Sequence, residues 1–344
     1  EGNFSKASDR LPFTENISTG GVTTLDFDGD GDMDLLVVER FHPFRYGVNV
    51  RGFLMMNDGK GYFKDVTEAW VPMLMQTFMM TDAKSGDING DGKDDIIIAT
   101  DWGPIQILIN QGDRFTDESV NYGTDRFTGW WHTLVVDDID GDGDLDIFGG
   151  NHGLNSFFKD TTRLYVHDFD KNGTYDYIFC QKIGNNYYPV ADKNELIGQL
   201  PILKKKLLYF RDYAGMTIED IFDQQDLDEA IVWESNTKAS TLFINESGQF
   251  KAKVINSAVQ YSPVYSAIFE NVDDDPEKEL ILGGNQFLVK PQFGRYDALP
   301  LTVLDRKGSN FNLIQSSDIT QVRDIKILNL GSRCYIVVAN NDDK

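Results

Sequence analysis

One nine-residue pattern, Asp-x-Asp/Asn-x-Asp/Asn-Gly-x-x-Asp, occurs four times in this chain. It reads Asp26-Phe-Asp28-Gly-Asp30-Gly31-Asp32-Met-Asp34, Asp87-Ile-Asn89-Gly-Asp91-Gly92-Lys93-Asp94-Asp95, Asp138-Ile-Asp140-Gly-Asp142-Gly143-Asp144-Leu-Asp146 and Asp168-Phe-Asp170-Lys-Asn172-Gly173-Thr174-Tyr-Asp176. The spacing predicts a cage for a hard cation. Oxygens at positions one, three, five and nine converge, and the carbonyl of position seven (Asp32, Lys93, Asp144, Thr174) adds another. Gly at position six takes the left-handed turn that closes the loop. Oxygen-only ligation suits Ca²⁺, at about four sites, rather than zinc or copper.

The loops are not EF-hands, which need a bidentate Glu at position twelve and flanking helices. Position twelve is Val37, Ile98, Gly149 or Phe179. The flanks are short β-branched and aliphatic runs: Leu35–Val38, Ile96–Ala99 and Thr133–Val136. Such runs around a tight loop predict antiparallel hairpins. A fifth copy, Asn271-Val-Asp273-Asp-Asp275-Pro276-Glu277-Lys-Glu279, has Pro where Gly belongs and is left out of the expected cation sites.

The chain carries 32 basic and 55 acidic residues, a net charge of −23, and 17 of those acids lie in the four loops. So acidic a surface excludes a phosphate backbone as partner and disfavours docking on an anionic membrane. No apolar run approaches the roughly 20 residues of a spanning helix, and no signal peptide heads the numbering. Cys180 and Cys334 each sit in an apolar run and are expected to be buried and unpaired. Extracellular calcium modules are tuned to about 10⁻⁴–10⁻³ M, far above cytosolic calcium, so the expected compartment is the cell envelope or exterior.

The loops recur with several short strands between them. The first repeat gives Gly21–Leu25, the loop, Leu35–Val38, Phe53–Met56, the turn at Asp58–Gly61, and Tyr62–Val66. That is one four-stranded antiparallel blade. Ile105–Ile109 with Arg114–Thr116 complete a second, while Leu242–Asn245 with Gln249–Val254, and Pro300–Leu304 with Phe311–Ile314, belong to later ones. A period of about 40–60 residues built this way predicts an all-β β-propeller, here one domain over residues 1–344. The hairpin Arg163–Cys180 is either the outer half of the third blade or a new, reduced blade, giving six or seven blades. Asn3–Lys6 is expected to form an outermost strand that helps close the ring. Residues 192–222 break the pattern. Leu196, Leu200, Leu203, Leu207 and Phe210 follow helical spacing, with capping boxes Asp192/Glu195 and Thr217/Asp220. This helical insertion is expected to pack on the rim, with Lys204–Lys206 on its solvated face.

The loops, the strand after each, and the Asn-x-Gly-x-Gly-x-Phe-like turns resemble FG-GAP/VCBS repeats, the propeller repeats also found in integrin α-subunits. Thr128-Gly-Trp-Trp-His132, Gly150-Asn-His-Gly-Leu-Asn155, Tyr188-Pro-Val, the Leu-Pro-x-Leu-Lys-Lys-Lys helix, Tyr261-Ser-Pro-Val-Tyr265, Gly283-Gly-Asn285, Gly294-Arg-Tyr-Asp297 and Ala339-Asn-Asn-Asp342 look like the bacterial group found with ASPIC/UnbV domains. The resemblance implies a propeller, structural calcium and export, often in Bacteroidetes-like envelopes. It supplies no activity.

If the cation hairpins join the first two strands of each blade, they share one face of the disc. The opposite face then gathers Trp102, Trp130, Trp131, His132, Asn151, His152, Tyr265 and Asn285, together with Glu39–His42 and Glu234–Asn236. Aromatics and planar amides around one mouth suit a glycan or a protein segment. The same residues also serve to wedge blades together and cap turns. No zinc, nucleophile-elbow or phosphate-loop motif is present. The expected function is therefore a non-catalytic, calcium-stabilised propeller that binds a glycan or protein partner on that face. The alternatives are a carbohydrate-active lyase or hydrolase using His132 and His152, or a purely structural envelope domain.

Overall fold

The computed structural model describes residues 9–13, 17–255, 257–273, 275–308, 310–331 and 333–341. The expected strand Asn3–Lys6 lies outside them, as does Asp342. The described residues form six antiparallel sheets, one of them inserted between the halves of another.

Each of the five aspartate-rich hairpins closes in the same register. The acid at position nine pairs with the residue just before position one: Leu25 with Asp34, Gly86 with Asp95, Asp137 with Asp146, His167 with Asp176, and Glu270 with Glu279. The first blade runs Ser18–Leu25, Asp34–Phe41, Gly52–Asn57, Phe63–Asp65 from inside to outside. The second runs Met79–Gly86, Asp95–Gly103, Gln106–Asn110, Phe115–Asp117, with Gly129–Trp130 added beside Asp95–Gly103. A later blade runs Val264–Glu270, Glu279–Gly284, Thr302–Lys307, Asn310–Ser316, and the last sheet holds Gln321–Leu330 and Arg333–Asn341. The inner strands stand side by side around a central channel of about 580 Å³. They approach closely: a Cβ on Gly20 would lie 2.0 Å from the Met80 carbonyl oxygen, so only glycine fits there.

The third blade departs from the expectation. Its inner strands, Thr133–Asp137 and Asp146–Gly150, pair not with the next hairpin but with Thr241–Asn245 and Phe250–Val254. The hairpin around residues 168–176 is neither an outer half nor a reduced blade. It belongs to a separate four-stranded sheet inserted between the halves of the third blade, ordered Asn186–Pro189, Asp176–Ile183, Thr162–His167, Ile231–Ser235. The exit and return of the insertion are clasped: Asn151 N–H donates to Ser240 Oγ (3.0 Å) and Gly153 N–H to the Lys238 carbonyl (2.7 Å).

The helical stretch runs further than expected, from Lys193 to Glu229, and both capping boxes form. Leu196, Leu200, Leu203 and Leu207 are buried, but against Tyr165, Ile178, Cys180 and Tyr187 of the inserted sheet rather than a blade rim. Phe210, expected on the buried face, is exposed. The other side of the inserted sheet, with Leu164 and Val166, joins the core shared by the first two blades. Cys180 is buried as expected. Cys334 is exposed, because among the described residues the last sheet has only two strands and nothing covers its outer side.

Candidate metal centres and the central channel

Each loop begins with an aspartate that accepts the backbone N–H of the glycine at position six: Gly31 to Asp26 (3.0 Å), Gly92 to Asp87 (2.7 Å), Gly143 to Asp138 (3.2 Å) and Gly173 to Asp168 (2.8 Å). Those glycines have φ from 85° to 98°, the left-handed turn the spacing predicts. The position-nine aspartate accepts the N–H of position two: Phe27 to Asp34, Ile88 to Asp95, Ile139 to Asp146 and Phe169 to Asp176. In the three blade loops its second oxygen accepts a backbone N–H from the third strand, that of Asn57 (2.7 Å), Asn110 (2.8 Å) or Asn245 (2.8 Å). Burial pushes Asp34, Asp95 and Asp146 up to about 6 despite these bonds, and raises Asp176 as well.

Asp26, Asp28 and Asp34 bring carboxylate oxygens within 4.8 Å of one another, as do Asp138, Asp140 and Asp146, and Asp168, Asp170 and Asp176. These all-oxygen clusters with one buried carboxylate fit a hard divalent cation. Position five stays apart as a turn former: Asp30, Asp142 and Asn172 accept the N–H of Asp32, Asp144 and Thr174. In the second loop Asp87, Asp91 and Asp95 do not converge in this way. Lys93 Nζ holds Asp91 at 2.8 Å, and position three is the amide Asn89, which accepts from Asp91 N–H.

The copy set aside on sequence grounds does gather its acids. Asp273, Asp275 and Glu279 lie within the same 4.8 Å. Glu279 is fully buried; one oxygen accepts Val272 N–H (2.8 Å) and the other, Oε1, has no partner. The signal was the acid at position nine. Pro276 does not prevent closure, because Asn271 Nδ2 bonds the Asp275 carbonyl instead of a glycine turn forming.

The loops do not all share one end of the disc. The 168–176 loop belongs to the inserted sheet. Asp168, Gly173, Thr174 and Tyr175 line one cleft, of about 540 Å³, with Phe44 and Arg45, which follow the second strand of the first blade. This loop therefore lies at the end opposite the blade loops.

The expected open ring of partner-binding side chains is largely internal. Trp102, Trp130, Trp131, Asn151, His152 and Asn285 are all buried. Asn151 accepts from Trp130 N–H and His152 N–H and donates to the Thr237 carbonyl, while Asn285 bridges Leu299 N–H and the Thr320 carbonyl. Trp102 donates to Tyr46 Oη, which donates to Asp101 (2.8 Å each). The inserted sheet covers this end: Trp233 Nε1 donates to the Gly47 carbonyl and Trp233 packs on Phe78.

His132 and Tyr265 differ, because they line the channel, stacked with centroids 4.6 Å apart. Arg40 and Arg323 line it with them. Both ring nitrogens of His132 are buried without a hydrogen-bond partner. Burial, with Arg40, His152 and Arg323 nearby, holds His132 well below the usual imidazole range. Burial likewise lowers His152 to about 4, and its Nε2, Trp130 Nε1 and Tyr296 Oη also lack partners. Arg323 was missed by sequence reasoning. It enters the inner strand of the last blade as His132 and Tyr265 enter theirs, so the same alignment carried one blade further would have found it.

Residues 87–149 match the model of the FG-GAP-like repeat, a span from the second loop to the end of the third hairpin. No curated protein matches the chain. Among solved structures, the V. cholerae biofilm matrix protein Bap1 aligns at 14% identity over 86% of this chain and 39% of that one, with a TM-score of 0.36. BBS1N in complex with ARL6DN aligns at 10% identity over 94% and 89%, with a TM-score of 0.31. Likeness this low carries no argument about this chain. Among the described residues no helix is long and apolar enough to cross a membrane.

Proposed function

The chain is an all-β propeller carrying an FG-GAP-like repeat, and on that premise we propose that it is a non-catalytic, calcium-stabilised domain that works in the cell envelope or outside the cell. It folds as one unit and engages a glycan or protein partner at the end opposite the blade loops. The observation that carries the calcium reading is the position-nine carboxylate. It is buried, tied to its own hairpin and to the third strand, and raised toward neutrality by that burial. Bound calcium would supply an offsetting positive charge. Asp26, Asp28 and Asp34 would hold it in the first loop, Asp138, Asp140 and Asp146 in the third, and Asp168, Asp170 and Asp176 in the fourth. In the second, Asp87, Asn89 and Asp95 would do so once Asp91 leaves Lys93.

What these residues do is hold the first two strands of each hairpin in register and pin the third beside them. The supply of calcium outside the cytosol, in the range where such loops fill, supports the compartment. Thermal melting in calcium and in EDTA tests the reading: calcium raises the midpoint, and superimposable curves would remove the calcium claim.

A further inference from the structure

We propose that the groove between the first blade and the 168–176 loop binds a neutral glycan, with Phe44 and Tyr175 as stacking surfaces and Arg45, Asn49 and Gln76 reading the sugar hydroxyls. The inference rests on the partner-binding reading of that end and names both the site and the class of partner.

Three observations carry it. The first is a side chain held where it costs the fold. Arg45 N–H donates to the His42 carbonyl (2.9 Å), closing a four-residue turn in which Phe44 takes the third position with φ 64°. A turn that needs positive φ at this position favours glycine or asparagine there, and a bulky ring is strained. The same ring is fully exposed. Strained backbone and bare apolar surface at one residue mark a contact made with something outside the chain.

The second is shape. The cleft of about 540 Å³ lined by Phe44, Arg45 and Tyr175 is continued by one of about 340 Å³ that Arg45 and Tyr175 share with His42, Asn49 and Gln76. Both fall in the range of about 300–1,000 Å³ usual for small-molecule sites. Two basins that share Tyr175, itself 43% exposed, suit a chain of linked rings better than one compact solute.

The third is the chemistry of the walls. The side chains of Arg45, Asn49 and Gln76 make no hydrogen bond or ion pair among the described residues. Free planar amides and a guanidinium beside flat aromatic faces meet the two sides of a sugar, its hydroxyl edge and its C–H face. Asp168, the one acid lining either cleft, turns its carboxylate onto the Asn172 and Gly173 N–H groups of its own loop (2.9 and 2.8 Å). One carboxylate and one guanidinium on the two walls complement a partner without net charge.

The test is an array of neutral oligosaccharides, followed by calorimetry of the full chain in calcium on wild type, Phe44→Gly and Gln76→Ala. Glycine relieves the left-handed backbone, so Phe44→Gly should melt no lower than wild type. The proposal expects at least one neutral oligosaccharide to bind saturably, its monosaccharide to bind more weakly, and Phe44→Gly to lose about tenfold or more in affinity. Gln76→Ala should lose affinity as well. Silence across the array overturns the proposal. Affinity undiminished in Phe44→Gly overturns the stacking, and undiminished in Gln76→Ala overturns the amide contact. A glycan that all three proteins hold equally leaves the partner reading standing and removes this site. Binding confined to uronate or sulfated chains overturns the neutral class. A protein partner lost on Phe44→Gly, with every glycan silent, overturns the sugar.

Discussion

The loops of the first three blades and the loops at 168–176 and 271–279 share an acid pattern but not their neighbours. In the first three blades, the position-nine carboxylate is clamped from both sides, and in the second and third the asparagine that clamps it also reaches out. Asn110 Nδ2 donates to the Phe27 carbonyl in the preceding blade's loop (2.8 Å), and Asn245 Nδ2 to the Ile88 carbonyl (3.4 Å). The first and second loops are thus each bonded to the next blade. Asp176 instead has Phe169 N–H and the Gln199 side chain, and Glu279, among the described residues, has Val272 N–H alone. The difference teaches that one local motif serves two purposes: in the first two blades it also joins blades, whereas at 168–176 and 271–279 it closes its own hairpin.

The largest effect expected is that of removing the cation. A ligand bound only by the native state stabilises it by about 2.7 kcal/mol per site at a hundredfold excess over its dissociation constant, so several sites together should shift the melting midpoint by many degrees. Next comes Asp146→Ala, measured in EDTA so that the cation plays no part. The carboxylate accepts three backbone N–H groups, from Ile139, Asp140 and Asn245, and losing it should cost about 4 kcal/mol. Asp176→Ala, with one backbone donor, should cost about 1.5 kcal/mol by the same reasoning. Equal losses in urea titrations would dissolve the distinction between the two kinds of loop.

The pH dependence separates the same groups. Asp34, Asp95 and Asp146 rise from 3.8 to about 6 on burial, so without cation the native state holds protons that the unfolded chain has released. Stability in EDTA should therefore fall as pH rises from about 4 to 6 and level off above that. With calcium the slope should reverse, because the cation needs the carboxylates ionised. Melting scans across that window check both signs, and a flat EDTA curve would contradict the burial argument.

How much was legible in the sequence follows from how far apart the partners are. The ligands of a loop lie within nine residues, and the strands of a blade alternate locally, so Asp26–Asp34 and the first two blades could be read directly. The third blade could not, because its second and third strands are separated by the inserted sheet and helices. Nothing local to Thr241–Asn245 says that it pairs with Asp146–Gly150. The partner face failed for a related reason. Tryptophans, histidines and asparagines at blade ends serve packing as well as binding, and only the inserted sheet decides which. Trp102 and Trp130 went inside; His132 and Tyr265 were left on the channel. Pro276 misled in the other direction, since a glycine turn is one way to close an acidic loop and the Asn271 side chain is another.

Smaller effects probe the asparagines. Asn110→Ala removes a bond to the neighbouring blade from a fully buried residue and should cost about 2 kcal/mol. Asn57 Nδ2 reaches only Met33 of its own blade, at a more exposed site, and Asn57→Ala should cost about 1 kcal/mol. If the order is inverted in urea unfolding, the bonds between blades are not what the asparagines contribute.

The smallest effect is also the most diagnostic, since its sign depends on the buffer. Glu279→Gln replaces a buried carboxylate whose Oε1 has no partner with a neutral isostere. Without cation, losing an uncompensated buried charge should leave the protein as stable as before, or more so by about 0.5–1 kcal/mol. With calcium, the same change removes a ligand from the Asp273, Asp275 and Glu279 cluster, so stability should drop and the calcium titration should lose one equivalent. The comparison of variant and wild type thus crosses zero between EDTA and calcium only if the 271–279 loop takes up a cation. The same shift in both buffers would return that loop to a plain hairpin turn.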